Sequence, residues 1–201
     1  IFNMQKDIQE EYEFSLFENK YYKKKLERVK TEFYQYTSEF SIVLNDLIDN
    51  LIEEDRILLR KIVGSEDELL TKKENKPKKQ NSAVKKTFRE IAKKSHPDRL
   101  LEESEQEIEK RTELFAEAKK SMESEDVTKL LEIAKELDIE PPKPDQDQID
   151  LILENTNGIM SEIKQMRSSV AWEWAKAKPN KKEDIVLGYI KYLAVNFKDK
   201  V

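Results

Sequence analysis

The stretch Val84 to Arg99 reads VKKTFREIAKKSHPDR. On a wheel of about 100° per residue, Val84, Phe88, Ile91, Ala92 and Ser95 share one face, and Lys85, Lys86, Arg89 and Lys93 lie opposite Ile91. The period is helical, with apolar residues on one side and cations on the other. The pattern stops at His96-Pro97-Asp98. Proline fixes its own φ and steers the residue before it away from helical geometry, so helix and turn meet at His96 for steric reasons. The turn leaves an imidazole and a carboxylate beside the cationic face.

Downstream, Ser104 and Glu107 have the spacing of a capping box, and Ile108, Phe115, Ala118 and Met122 continue as one apolar face. A third helix is expected from about Asp126, with Val127, Leu130, Leu131, Ala134 and Leu137 inward, and it must end by Pro141-Pro142. Upstream, Thr71 to Ser82 (TKKENKPKKQNS) is polar, rich in lysine and broken by a proline, and reads as a mobile linker. From Thr71 to Arg99, eleven Lys and Arg stand against three Asp and Glu. That local +8 sits in a chain of net charge −5, leaving −13 elsewhere. A basic patch on an acidic protein points to an acidic docking partner.

The flanks carry two heptad seams. Tyr22, Leu26, Val29, Phe33, Tyr36, Phe40, Val43 and Leu47 alternate spacings of four and three, and no Gly or Pro interrupts residues 1–63. A turn is expected near Asn19 or Asn50, and Gly64 is the first punctuation. After the proline-rich PPKPDQDQ, a second seam runs through Ile149, Ile152, Thr156, Ile159, Ile163, Met166 and Val170. Burying the two against each other predicts an antiparallel pair within one chain, with Thr156 making room for Phe33, Tyr36 and Phe40. Self-association of two chains through these helices is the rival. A last helix is expected after Pro179, capped by Asn180 and Glu183, with Ile185, Val186, Tyr189, Ile190, Leu193 and Phe197 as its stripe. The expected fold is therefore all-α, a helical hairpin beside an elongated antiparallel coiled coil or helical bundle. Its blocks are 1–70, the basic linker 71–82, the central module 83–140, the proline-rich linker 141–148, and 149–201.

Composition agrees with this reading. Charged residues make up 39% of the 201 and hydrophobic ones 37%, with three glycines and six prolines, which suits long helices better than a thick core. Without cysteine there is no disulfide or thiolate chemistry. His96 is the sole histidine, so a zinc site would need three carboxylates, and none is expected. No nucleophile pairs visibly with His96 and no glycine-rich phosphate loop exists, so neither an enzyme nor a cofactor is expected. The lysine linker offers charge for phosphates but almost no aromatic for stacking, which argues against nucleic acid. No apolar run approaches the roughly 20 residues of a membrane span. The start Ile1-Phe2-Asn3-Met4 shows no basic segment leading an apolar one and no initiator methionine, so a soluble cytoplasmic protein whose native beginning is missing is expected.

A basic amphipathic helix ending in His-Pro-Asp and a basic residue, then a loop and a second helix, resembles the J-domain (DnaJ-like) family. Phe88-Arg89 looks like that family's aromatic–arginine pair, Ile91-Ala92 like its Leu-Ala pair, and Arg99 stands where lysine is common. Phe115-Ala116-Glu117-Ala118 is similar to the Ile-Asn-Glu-Ala core of its third helix. The segment Arg111 to Leu137 resembles a bacterial or viral subgroup in which a J-domain sits beside coiled-coil helices. The resemblance spans about residues 83–139. Ser95 and Lys119 stand where bulky aromatics are usual, and the short first helix is not visible at its usual distance. Ile57, Leu58, Leu59, Ile62 and Val63 are the nearest candidates for it.

The resemblance implies a co-chaperone that docks on a DnaK-type heat-shock ATPase and stimulates it without bond chemistry of its own. His96, Pro97 and Asp98 would engage near that partner's interdomain linker, and Lys85, Lys86, Arg89, Lys93 and Arg99 would complete the chaperone-binding surface. The alternative is a coiled-coil structural adaptor whose J-like turn is inactive. Trp172 and Trp174 could then be binding anchors, although packing is the expected role.

Overall fold

The computed structural model describes residues 2–69, 82–100, 103–124, 126–140 and 143–197. The expected linker lies outside them except for Ser82, as do Pro141 and Pro142. Among the described residues the chain is all-α, with helices α1 (Phe2–Asp49), α2 (Glu53–Leu69), α3 (Ser82–Ser95), α4 (Glu105–Glu123), α5 (Val127–Glu136), α6 (Gln146–Arg167), α7 (Val170–Lys176) and α8 (Pro179–Phe197). A 3-10 turn, Pro97–Arg99, follows α3. Of the two asparagines considered as turns, Asn50 ends α1, whereas Asn19 stays helical and α2 runs on through Gly64. Two boundaries differ from expectation. Ser169 caps a new helix by accepting from the Trp172 amide at 3.2 Å, which breaks the second seam before Val170. Helix α8 starts at Pro179 itself, because proline is preorganised for a first helical position, so Asn180 is not the cap.

The chain folds as two compact units, Ile1–Lys25 with Pro77–Met160 and Leu26–Lys76 with Ser161–Val201. These cut across the sequential blocks, since α1 and α6 each contribute to both units.

In the first unit, Val84 and Ile91 of α3 share a core with Leu114 and Ala118 of α4 and with Val127, Leu130 and Ile133 of α5. Ile8, Tyr12 and Leu16 of α1 and Ile149 and Ile152 of α6 complete that core. Leu58, Leu59, Ile62 and Val63 do not. They pack in the second unit, so the flanking helices take the place expected of them. Burial pushes the Tyr12 phenol up to about 12, and the Asp145 carboxylate just before α6 adds to the shift. A polar layer crosses the unit at Asn19. Its Nδ2 donates to Asn155 Oδ1 (2.9 Å) and Thr156 Oγ1 (2.8 Å), and its Oδ1 accepts from Thr128 Oγ1 (2.8 Å). Thr156 thus answers an asparagine, not the aromatics of the first seam.

The second unit is built on rings. Phe40 meets Trp174 and Tyr189 edge-on, at 5.8 and 5.6 Å between centroids, and Tyr36 meets Trp172 at 5.2 Å. Leu44, Ile48, Leu59, Ile62, Val186 and Leu193 fill the remaining core. Both tryptophans are buried, which is the packing role expected of them.

The pairing is parallel, which corrects the antiparallel expectation. In the first unit Tyr12 shares a core with Ile149 and Ile152, and farther along α1 Asn19 reaches Asn155 and Thr156. In the second, Lys30 pairs with Glu162 (3.0 Å) and Tyr36 follows with Trp172. Contact positions rise together in each case. Heptad spacing is indifferent to direction, and here the helices between α1 and α6 return the chain to the unit in which α1 begins.

Two outcomes are expected. Asn19→Ala strands the buried Thr128 hydroxyl and takes a partner from the half-buried Asn155 side chain, and should lower stability by about 1–3 kcal/mol in urea unfolding followed by circular dichroism. Because the folded-state Tyr12 pKa lies above the ordinary 10.0, its contribution is intact below pH 10 and lost as pH rises towards 12. The urea midpoint should fall across that window, and fall less in Tyr12→Phe.

Candidate functional site

The cationic helix ends in a well-anchored turn. The His96 amide closes α3 on the Ala92 carbonyl at 3.0 Å, after which His96 turns extended (φ −68°, ψ 129°) as Pro97 requires. The Arg99 amide then donates to the His96 carbonyl (2.9 Å), and the Leu100 amide to that of Pro97 (3.1 Å). Leu100 is buried and pins the far side of the turn. At the helix end, Ser95 is buried and its hydroxyl donates back to the Ile91 carbonyl at 2.7 Å. A small hydroxyl thus satisfies itself where a larger ring had seemed to be missing.

His96 is held on two sides. Its Nδ1 accepts from the Asp98 amide at 3.3 Å, which leaves the proton of the neutral ring on Nε2. Its ring stands edge-on to Phe115 of α4, 5.0 Å between centroids, and Phe115 in turn stacks with Phe88 of α3 at 6.1 Å. The His96 side chain keeps 42% of its surface in solvent and that of Asp98 keeps 87%. An oriented imidazole edge and a free-standing carboxylate therefore project together. Asp98 Oδ2 lies 3.6 Å from Nδ1, an ion pair only when the imidazole is protonated.

The residues expected to form the cationic face divide in two. Lys85, Lys86, Arg89 and Arg99 are exposed and make no ion pair with a described residue. Lys93 is exposed too, but its Nζ lies 2.7 Å from Glu90 Oε1. That hydrogen bond holds the Glu90 carboxyl below the usual carboxylate range, with Lys86 adding to it. Glu90 thus offsets part of the charge of Lys93 and, less directly, of Lys86, whereas no described carboxylate pairs with Lys85 or Arg89.

Several supporting residues escaped the sequence reading. Arg111 of α4 donates from Nη1 to the Lys94 carbonyl (3.3 Å) and from Nε to Glu107 (2.6 Å). This diverts the Glu107 carboxylate, so only half of the expected capping box is used. Ser104 still accepts from the Glu107 amide, at 3.4 Å. Lys94, beside the inner face, caps α5 by donating to the carbonyls of Leu137 (2.7 Å) and Asp138 (2.9 Å). Thr87 is buried on the inner face. The one legible signal was the Glu107–Arg111 spacing of four, a common intrahelical pair.

The site is a display surface. An oriented imidazole, an exposed carboxylate and a row of exposed cations lie together on α3 and the turn that follows it. Among the described residues no group of metal-ligating side chains comes together, and no helix is long and apolar enough to cross a membrane. Compared with protein-family models, curated proteins and solved structures, the chain matches none.

Phe115→Ala should release the imidazole while removing two ring contacts, each worth about 0.5–1.5 kcal/mol. As the sole histidine, His96 gives isolated proton resonances. These should move towards free-histidine values in the variant, with a modest loss of thermal stability.

Proposed function

We propose that this chain is a J-domain-type co-chaperone, which docks through α3 and the His96-Pro97-Asp98 turn on a DnaK-type heat-shock ATPase and stimulates its turnover. The observation carrying this reading is the exposed His96–Asp98 pair, braced by Phe115 and Leu100 at the end of an exposed cationic face. Lys85, Lys86 and Arg89 steer the domain towards an acidic surface, and such charges raise association rate and fix register more than they add affinity. Arg99, beyond the turn, extends the same field. The turn then binds one arrangement of the ATPase better than the other. A population shift requires such a difference, and couplings of this kind usually amount to about 1–3 kcal/mol, or 5- to 150-fold. The cytoplasm, where such ATPases work, is the compartment this reading implies. The bracing favours a working turn over an inactive one, because a turn without a partner needs no fixed imidazole.

The test is steady-state ATP turnover of a DnaK-type chaperone with added chain. Stimulation of 5-fold or more is expected from the intact protein and none from His96→Gln, and equal stimulation by both would refute the reading. Reversing Arg89 and Lys93 to Glu should slow association several-fold, as should raising salt.

A further inference from the structure

In the first unit, α1 has a second face that the core does not use. Its inner side carries Tyr12, Ser15, Leu16 and Asn19, while Lys20 and Lys23 pair with Glu132 and Asp126 by α5. On the opposite side Asp7, Glu10, Phe14, Phe17, Tyr21 and Lys24 recur at spacings of three and four, a heptad seam of their own. Phe14 is 64% exposed, Phe17 69% and Tyr21 53%. Single exposed apolar residues are ordinary, but three aromatics in one stripe on a highly charged helix mark an interaction surface.

The order of charge along the stripe identifies its occupant. Two carboxylates, Asp7 and Glu10, precede the aromatics and one ammonium group, Lys24, follows them. We propose that a second copy of this chain docks on this face, with the two α1 segments antiparallel about a two-fold axis between Phe14 and Phe17. In that register Phe14 meets Phe17 of the other copy, Glu10 meets the Tyr21 hydroxyl end, and Asp7 meets Lys24. Each contact occurs twice, as an isologous interface demands. Parallel pairing would set acid on acid and base on base, a costly arrangement. An anionic lipid surface would be repelled by Asp7 and Glu10. Six aromatics, each with about 150–250 Å² of surface of which half to two-thirds is exposed, offer roughly 700 Å². With the flanking stems this reaches the lower end of specific interfaces, near 1,200 Å², so the dimer is transient.

Sedimentation of the full chain from about 1 to 300 µM tests this, with a monomer–dimer equilibrium of micromolar Kd expected. Phe14→Ser with Phe17→Ser, both at exposed positions, should give a monomer throughout with an unchanged helical spectrum. Lys24→Glu alone should weaken the dimer roughly tenfold, by facing Asp7 with a carboxylate. Adding Asp7→Lys to it should restore the affinity, which a merely sticky surface would not do. A chain monomeric at every concentration, a dimer indifferent to the aromatic changes, or a failure of the charge swap to restore it would each overturn the proposal. So would a monomer that uses Phe14 and Phe17 to hold an unfolded polypeptide instead.

Discussion

The first unit depends on one buried amide. Asn19 has almost no exposed surface, and both ends of its side chain are committed, Nδ2 to α6 and Oδ1 to α5. Apolar neighbours along these helices could slide by a turn and still be buried, since burial is non-directional. The amide cannot. Moving α6 by one turn would leave the buried Asn19 Nδ2 without the Asn155 and Thr156 oxygens it donates to, a loss larger than any single apolar contact restores. Like a lone polar residue in a coiled-coil seam, Asn19 contributes register at some cost in stability.

That register sets what reaches the exposed turn. With α1 and α6 fixed, Tyr12, Ile149 and Ile152 close the core under α3, α4 and α5, and the three short helices gain the apolar cover their own length cannot supply. Arg111 and Lys94 then tie the end of α3 to α4 and α5 at carbonyl groups. Exposed ion pairs such as Lys110 with Glu136 add little beside this, because solvent screens them. The imidazole is oriented by packing and by a backbone amide. Its position therefore follows from the core beneath it and from the stiffness of Pro97.

The second unit solves the same problem with different chemistry. Its cover comes from edge-on rings, and cations cap their faces, Lys176 over Tyr36 at 4.8 Å and Lys182 over Trp174 at 4.1 Å. Long lysine stems shield aromatic surface while their ammonium groups stay wet, which is how a chain with so much charge still buries two tryptophans.

Much of this could be read from residues alone. The segregated period of residues 84–95, the break at Pro97, the cap at Ser104, the helix start near Asp126, and the stripe from Ile185 to Leu193 are local properties, settled by sterics and by the nearest few side chains. The exposed positions of Lys85, Lys86, Arg89 and Lys93 followed from the same wheel, and that of Asp98 from the turn. The direction of pairing did not, because a heptad seam looks alike from either end. Nor did the partner of Thr156, the ring beneath His96, or the helices that cover the central module. Each of these joins residues far apart in the chain, and only the packed fold decides which distant groups meet.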